Sequence, residues 1–220
     1  MSKGDDPKSG QDPAPPSGRL SRASVVRLSL YLRRLKQLHQ EGAATVSSGQ
    51  LGEPLGISDT QVRKDLAALG SFGQPGIGYP TEELIAVIRR TLGIDRQWAV
   101  VLAGVGNLAR ALLRYRGFQE QGFHIVALLD SDPQKIGQDV DGLQIKPLSE
   151  AAAVIGATGA ELGVLTVPAE AAQEVADVLV AAGVRGLLNF APAVLRLPPK
   201  VSLVSVDLTV QLEQLAFLVQ

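Results

Sequence analysis

An apolar run, Trp98-Ala99-Val100-Val101-Leu102-Ala103, passes without a break into Gly104-Val105-Gly106-Asn107-Leu108-Ala109. Uninterrupted apolar residues suit a parallel strand buried on both faces. The amphipathic stretch that follows, to about Tyr115, suits a helix. G-x-G-x-x-A between a strand and a helix is the turn on which a doubly wound α/β sheet seats a dinucleotide. In that reading Gly104 makes the tight turn and Gly106 lets a pyrophosphate approach the backbone. Val105, Asn107 and Leu108 contribute backbone N–H groups, and Ala109 permits close helix–strand packing.

The rest of the back half follows the same alternation. A second apolar run, His124 to Leu129, ends at Asp130, 26 positions after Gly104. A carboxylate at about that spacing accepts hydrogen bonds from the adenosine ribose and repels a 2′-phosphate, which favours NAD(H) over NADP(H). Leu162–Val167 reads as a strand stopped by Pro168, Ala169–Ala182 as a helix, and Val184–Phe190 and Val201–Val206 as further strands. Ligands sit outside the carboxyl ends of such strands. Thr166, Val167, Pro168, Asn189, Phe190, Ala191 and Pro192 are therefore candidates to flank the nicotinamide half, and Tyr115 can approach it. A nucleotide fold that binds nothing, or binds coenzyme A, is the alternative.

Catalytic groups are scarce. There is no Cys and there are only two His, which excludes disulfides, thiolate chemistry and multi-His metal sites. His124 belongs to the start of the second strand, the wrong end of the sheet, and His39 lies far upstream. Few residues remain beyond the nucleotide fold to build a substrate domain. An NAD-dependent oxidoreductase with a basic N-terminal interaction domain stays open as a second reading. No apolar run is long enough to span a membrane, and the Pro-, Gly- and Ser-rich start has no apolar core. The expectation is a cytoplasmic protein, not membrane-bound, with a disordered tail over 1–18.

The net charge of −1 conceals an asymmetry. Residues 18–79 carry eight bases against four acids, whereas residues 80–220 carry eleven against fifteen. A basic front joined to an acidic back suggests a nucleic-acid module. Apolar positions 25, 28, 32, 35 and 38 mark a first helix, which Gly42 ends. Ser47 or Ser48 caps a short second helix to about Leu55, Gly56 turns the chain, and Ser58 or Asp59 caps a third helix to about Leu69. This is a helix-turn-helix, whose second helix presents its first residues to base edges in the major groove. Those residues are Thr60, Gln61, Arg63 and Lys64. The Gly-rich stretch 70–79 suits the hairpin wing of a winged helix, with Gly76 in the wing. Arg22, Arg27, Ser47 and Ser48 complete the candidate DNA contacts. A three-helix dimerisation module is the alternative.

The expected domains are 19–80 for the winged helix, 81–206 for the Rossmann sheet and 207–220 for a last helix. Asp207 can cap that helix. Its apolar residues, Leu208 to Val219, circle the axis, which implies burial on several sides and so insertion into a partner subunit.

Taken together these motifs resemble the Rex family of NADH-responsive bacterial repressors over residues 22–220. The carriers are Arg27 with Tyr31-Leu32-Arg33, Gln61-Val62-Arg63-Lys64-Asp65-Leu66, Phe72-Gly73 with Gly76-Ile77-Gly78-Tyr79, Gly104-Val105-Gly106, Asp130-Ser131-Asp132-Pro133 with Lys135-Ile136-Gly137, Thr166-Val167-Pro168, Asn189-Phe190-Ala191-Pro192 and Val206-Asp207. The resemblance implies a homodimer on an inverted-repeat operator in double-stranded DNA, with swapped C-terminal helices. It implies repression of respiratory and fermentative genes when the NADH/NAD+ ratio is low, and release by NADH. It places Lys135 and Tyr115 at the cofactor, with Asp207 of the other subunit approaching the nicotinamide. It makes Arg33, Tyr115 and Asp207 the switch, Arg33 pairing with Asp207 when NADH is bound. Two departures stand out: Pro75 replaces a basic wing residue, and Ala68 and Leu69 replace an aromatic pair. They leave open a paralogue with weakened DNA binding.

Overall fold

The computed structural model describes residues 20–70, 73 and 76–220, and the chain divides into compact units that meet at Asp95 and Arg96. The expected tail, together with Phe72 and Pro75 of the wing, lies outside the described residues.

In the first unit, helix α1 spans Arg22–Gln40, capped by Ser21, whose hydroxyl accepts from the Ser24 N–H at 3.1 Å. Leu28, Tyr31, Leu32, Leu35 and Leu38 form its buried stripe. Val25, expected to open that stripe, is solvent-exposed. Strand β1 (Thr45–Val46) leads into α2 (Ser48–Gly52), where Ser47 and Gln50 satisfy each other's N–H groups in a capping box. Pro54 sits in the first turn of a 3-10 turn, Glu53–Leu55, where no N–H is required, so the second helix stops three residues earlier than the sequence suggests. Helix α3 (Asp59–Ala67) follows, capped by Ser58. Strand β2 (Tyr79–Pro80) pairs antiparallel with β1 and anchors the base of the wing.

Helix α4 (Thr81–Thr91) corrects the expected boundary at 80. Its Leu84 and Ile88 are fully buried in the same core as Leu28, Tyr31, Leu35, Leu51 and Leu66. The first unit therefore ends at Asp95. The Gly76, Gly78 and Pro80 punctuation marks a wing.

The second unit is a seven-stranded sheet. Its elements in chain order are β3 (Trp98–Ala103), α5 (Asn107–Leu113), α6 (Arg116–Glu120), β4 (Phe123–Asp130), β5 (Asp139–Val140), β6 (Leu143–Pro147), α7 (Ala151–Thr158), β7 (Leu162–Leu165), α8 (Ala169–Ala181), β8 (Gly186–Asn189), β9 (Ser202–Ser205) and α9 (Leu208–Leu218). The spatial order is β5-β6-β4-β3-β7-β8-β9. All pairings are parallel except β5 with β6. Without the β5 edge this is the 3-2-1-4-5-6 order of the doubly wound fold, and it reverses at β3.

Both faces of the central strands are covered. Val101, Ala103, Leu129 and Leu165 pack under α7 and α8, while Val100, Leu102 and Leu128 pack on the other side with Ala109 of α5. That two-sided burial is why β3 and β4 read as continuous apolar runs. Towards β8 and β9 the second face opens into an apolar cavity of about 410 Å³, lined by Val100, Phe118, Ile125, Leu162, Leu188 and Val204 among others. No residue of α9 is buried, and Leu212, Phe217 and Leu218 are at least 65% exposed.

Candidate nucleotide and nucleic-acid sites

The sheet's order reverses between β3 and β7, and the turn at the end of β3 is built against the end of β7. Gly104 has φ +89°, and a Cβ there would fall 2.5 Å from Val167 Cγ1 and 2.8 Å from the Thr166 carbonyl oxygen. No side chain fits. The Thr166 hydroxyl donates to the Gly104 carbonyl at 2.6 Å and fastens the turn to β7. Gly106 differs: a Cβ would meet nothing within 4 Å. It stands at the N-cap of α5 with no side-chain hydrogen bond, so the first N–H groups of the helix are open to a ligand. Val105 and Ala109 are buried, whereas Asn107 and Leu108 are exposed. The open backbone at Gly106 is the space a pyrophosphate requires, and the turn fits a dinucleotide.

Asp130 ends β4 beside this turn and is 8% exposed. Its Oδ2 accepts from the Val105 N–H at 2.6 Å and from Lys135 Nζ at 3.1 Å, and its Oδ1 accepts from the Asp132 N–H at 2.9 Å. Burial by itself raises the Asp130 pKa. The two backbone N–H bonds and the Lys135 ammonium outweigh burial and hold it below the ordinary carboxylate value. Asp130 is thus a permanent carboxylate that ties the glycine turn to β4 and keeps acceptor capacity on Oδ1 for a ribose hydroxyl. The sequence reading saw only the second role.

Of the residues expected at the nicotinamide end, Asn189 is reassigned. It is completely buried, with its amide nitrogen donating to the Ala191 and Ala193 carbonyls and its Oδ1 accepting from the Ala191 N–H. It shapes the loop after β8 from within and offers nothing to a ligand. Ala191 is buried too. Val167, Pro168, Phe190 and Pro192 keep surface at the strand ends. Tyr115, between α5 and α6, is 55% exposed and stands edge-on to Phe118, ring centroids 5.2 Å apart. Asp207 caps α9, with Oδ1 accepting from the Thr209 and Val210 N–H groups.

In the first unit, Thr60, Arg63 and Lys64 form the exposed face of α3. Arg63 lies 3.6 Å from Asp59 and borders a cavity of about 450 Å³ with Ser47, Ser48, Gly76 and Tyr79. Ser47 is held as the cap of α2, and the Ser48 hydroxyl lies 3.3 Å from Asp59. Arg22 and Arg33 are exposed on α1.

Arg27 and Gln61 are not free contacts. Asp65, 5% exposed, accepts from Arg27 Nε at 2.6 Å and Nη2 at 2.7 Å, from the Tyr31 hydroxyl at 3.0 Å and from Gln61 Nε2 at 3.0 Å. Burial raises the Asp65 pKa, and these donors together with the Arg27 charge lower it further than burial raises it. The same burial beside a carboxylate pushes the Tyr31 phenol up to about 12. Arg27 therefore joins α1 to α3, a structural role the sequence did not announce, and Gln61 is held by the same carboxylate. The i,i+4 spacing of Gln61 and Asp65 was a legible signal for their bond, whereas the pairing with Arg27 spans 38 positions.

A helix-turn-helix unit joined to a nucleotide-binding sheet defines a class: transcription regulators that carry a small-molecule sensor on the same chain. The family model described as "CoA binding domain" matches residues 95–193, and one described as "Putative DNA-binding protein N-terminus" matches residues 19–67. The redox-sensing transcriptional repressor Rex of Desulfitobacterium hafniense is 46% identical over 199 residues, covering 90% of this chain and 95% of the relative. That of Streptomyces coelicolor is 44% identical over 205 residues, 93% of this chain and 80% of the relative. Among solved structures, RSP, a Rex-family repressor, in complex with β-NAD+ and operator DNA is similar with a TM-score of 0.87. It shares 32% identity over 92% of this chain and 94% of that one. RSP with β-NADH gives a TM-score of 0.83 at 30% identity, over 92% and 95%. The chain belongs to the Rex family of redox-sensing transcriptional repressors. The relatives are repressors, and the oxidoreductase alternative is set aside.

Proposed function

We propose that this chain binds an inverted-repeat operator as a homodimer and releases it when NADH occupies the crevice between β3 and β7. The observation that carries the reading is the pair of RSP structures, one with β-NAD+ and operator DNA and the other with β-NADH, both similar to this chain over 92% of its length.

Gly104, Gly106 and the N–H groups of Asn107 and Leu108 hold the pyrophosphate, and Asp130, oriented by Lys135, holds the adenosine ribose. Tyr115, Val167, Pro168, Phe190 and Pro192 flank the nicotinamide. The two oxidation states present rings of different charge and planarity, and a ligand shifts an equilibrium only by its differential affinity for two states. Asp207 supplies the charge that discriminates between them. Its α9 cap bonds occupy Oδ1 and leave Oδ2 for Arg33. Thr60, Arg63, Lys64 and Gly76 of the wing face DNA, with Arg22 at the backbone. A dimer matches two half-sites about one helical turn apart. It acts on the chromosome, so we place it in the cytoplasm.

The match to a CoA-binding model favours a second ligand. Asp130 argues against it, since coenzyme A carries a phosphate on its ribose that a buried carboxylate repels. A gel shift with and without NADH tests the function, with NAD+, NADPH and coenzyme A as comparison ligands. NADH alone is expected to release operator. Equal release by coenzyme A, or none by NADH, overturns the reading.

A further inference from the structure

The strands that bracket the cofactor crevice also hold, at their opposite ends, the segment joining the two units. β3 runs from Trp98 to the Gly104 turn, and β7 runs beside it in register from Val100 with Leu162 to Ala103 with Leu165. At the crevice end, Thr166 is bonded to Ala103 and Gly104. At the other end, the Glu161 N–H donates to the Ala99 carbonyl at 3.2 Å. There the Glu161 carboxylate takes two arginines: Arg96 at 2.9 Å on Oε1 and Arg185 at 2.6 Å on Oε2. The Arg96 guanidinium also lies over Trp98, its Cζ 3.6 Å from the ring centroid. Arg96 is the first residue of the second unit.

The first unit is tied down just before it. Arg89, near the end of α4, donates to the Ile94 carbonyl at 2.6 Å, and the Ile94 N–H donates back to the Arg89 carbonyl at 2.9 Å. The Ile94 side chain packs on the first core. Between two clamped residues stands Asp95, exposed and without a hydrogen bond or ion pair among the described residues.

Resting on the sensor reading above, we infer that Asp95 is the pivot of the switch. Arg96, held by Glu161 and Trp98, is the positioning residue that makes a displacement of the paired strands β3 and β7 felt at that pivot. The argument is mechanical. A strand pair joined by backbone hydrogen bonds moves as one piece, and β3 is about 20 Å long at roughly 3.3 Å per residue. A shift at the Gly104 end is delivered to Arg96 with little loss only if Arg96 is fixed to both strands. Stacking on Trp98 fixes it to β3, and the ion pair fixes it to Glu161, the residue just before β7. Arg185 holds Glu161 from β8's side. Loosening Arg96 lets the linker absorb the movement over several residues instead of one.

The test separates coupling from binding. Arg96→Ala, Glu161→Gln and Arg89→Gln are made in the full-length protein alongside Arg96→Lys. Each is measured for NADH affinity without DNA, for operator affinity without NADH, and for the ratio of operator Kd with and without saturating NADH. Arg96→Ala and Glu161→Gln are expected to keep both single affinities within about threefold and to lower the ratio at least fivefold, about 1 kcal/mol of coupling. Arg89→Gln, which loosens the linker from the other side, is expected to do the same should either of the first two fold poorly. Arg96→Lys, which keeps the charge opposite Glu161, is expected to retain most of the ratio. Unchanged ratios in these variants, with wild type releasing normally, overturn the clamp alone. Loss of either single affinity makes these residues structural props and also overturns it. A wild-type protein indifferent to NADH overturns the sensor reading, and the clamp with it.

Discussion

Gly104 and Gly106 stand two positions apart and serve different ends. Alanine at 104 meets Val167 and the Thr166 carbonyl in a left-handed conformation, so Gly104→Ala is expected to cost about 2–4 kcal/mol of stability. Alanine at 106 meets no protein atom within 4 Å, so Gly106→Ala is expected to leave the melting temperature of the unit nearly unchanged. It places a methyl in the space proposed for the pyrophosphate and is expected to weaken NADH at least tenfold, about 1.4 kcal/mol. Calorimetric melting and NADH titration on both variants decide the assignment, and equal affinity losses at equal stability would contradict it.

Asp65 gives a pH signature at the same scale. Its carboxyl pKa is lowered in the folded state, so its stabilising contribution is present above about pH 4 and is lost as pH falls through the folded value. Asp65→Ala leaves Arg27 half-buried without its partner. Breaking a fully buried pair costs about 3–5 kcal/mol, and the remaining exposure of Arg27, 24% of its side chain, brings the expectation to about 2–3 kcal/mol. The chain's single Trp, Trp98, lies in the second unit. Urea unfolding followed by far-UV circular dichroism should therefore show an earlier transition for Asp65→Ala, while Trp98 fluorescence reports an unshifted second unit. The acid-induced loss below about pH 4 should shrink in the variant. An unchanged acid profile removes Asp65 from the stability of this module.

At the scale of elements, the strands buried on both faces were legible almost to the residue. β3 was anticipated over 98–103, and α8 one residue too long, because a continuous apolar run or a long helical period has one structural solution. β5 and β6 were not anticipated. They sit at the edge of the sheet, and Gln144 and Lys146 break an apolar run in β6, leaving an alternation of only Leu143 and Ile145. α7 is Ala-rich on every side and presents no stripe. Thr166 and Asn189 were placed at the right strand ends, but the bonds that hold them there were not legible: the bond from Thr166 to Gly104 joins residues 62 apart and no local spacing announces it. α4 is the instructive miss. Its Leu84 and Ile88 sit one turn apart in plain helical register, but the glycines and proline before it resemble a linker. A fragment of residues 20–95 is accordingly expected to fold cooperatively, whereas 20–80, stripped of two fully buried side chains, is expected to be largely unfolded. Circular dichroism and amide dispersion of the two fragments check this. Equal structure in both would return the boundary to 80.

At the scale of the whole molecule, the proposed recognition of an inverted-repeat operator requires two copies. α9 ends the chain with its apolar residues open, and the second unit leaves an apolar cavity of about 410 Å³ over β7 to β9. Exposed apolar surface of this extent on an isolated chain invites association. If α9 makes the dimer, changing Leu212 and Phe217 together to Glu buries two charges in that interface, and the protein should sediment as a monomer at micromolar concentration. The DNA consequence follows from linkage. Two half-sites held by one dimer act at a local concentration in the millimolar range, and separating the copies forfeits roughly a hundredfold or more in operator affinity without touching Thr60, Arg63 or Lys64. NADH, bound by residues of the second unit, should lose less. Sedimentation velocity and a gel shift on full and half operators measure both quantities. The doubly substituted protein is expected to bind full and half operators alike, where the unsubstituted chain prefers the full site. A substituted protein that remains dimeric, or a monomer that keeps the full-site preference, would place the interface elsewhere and leave α9 to another partner.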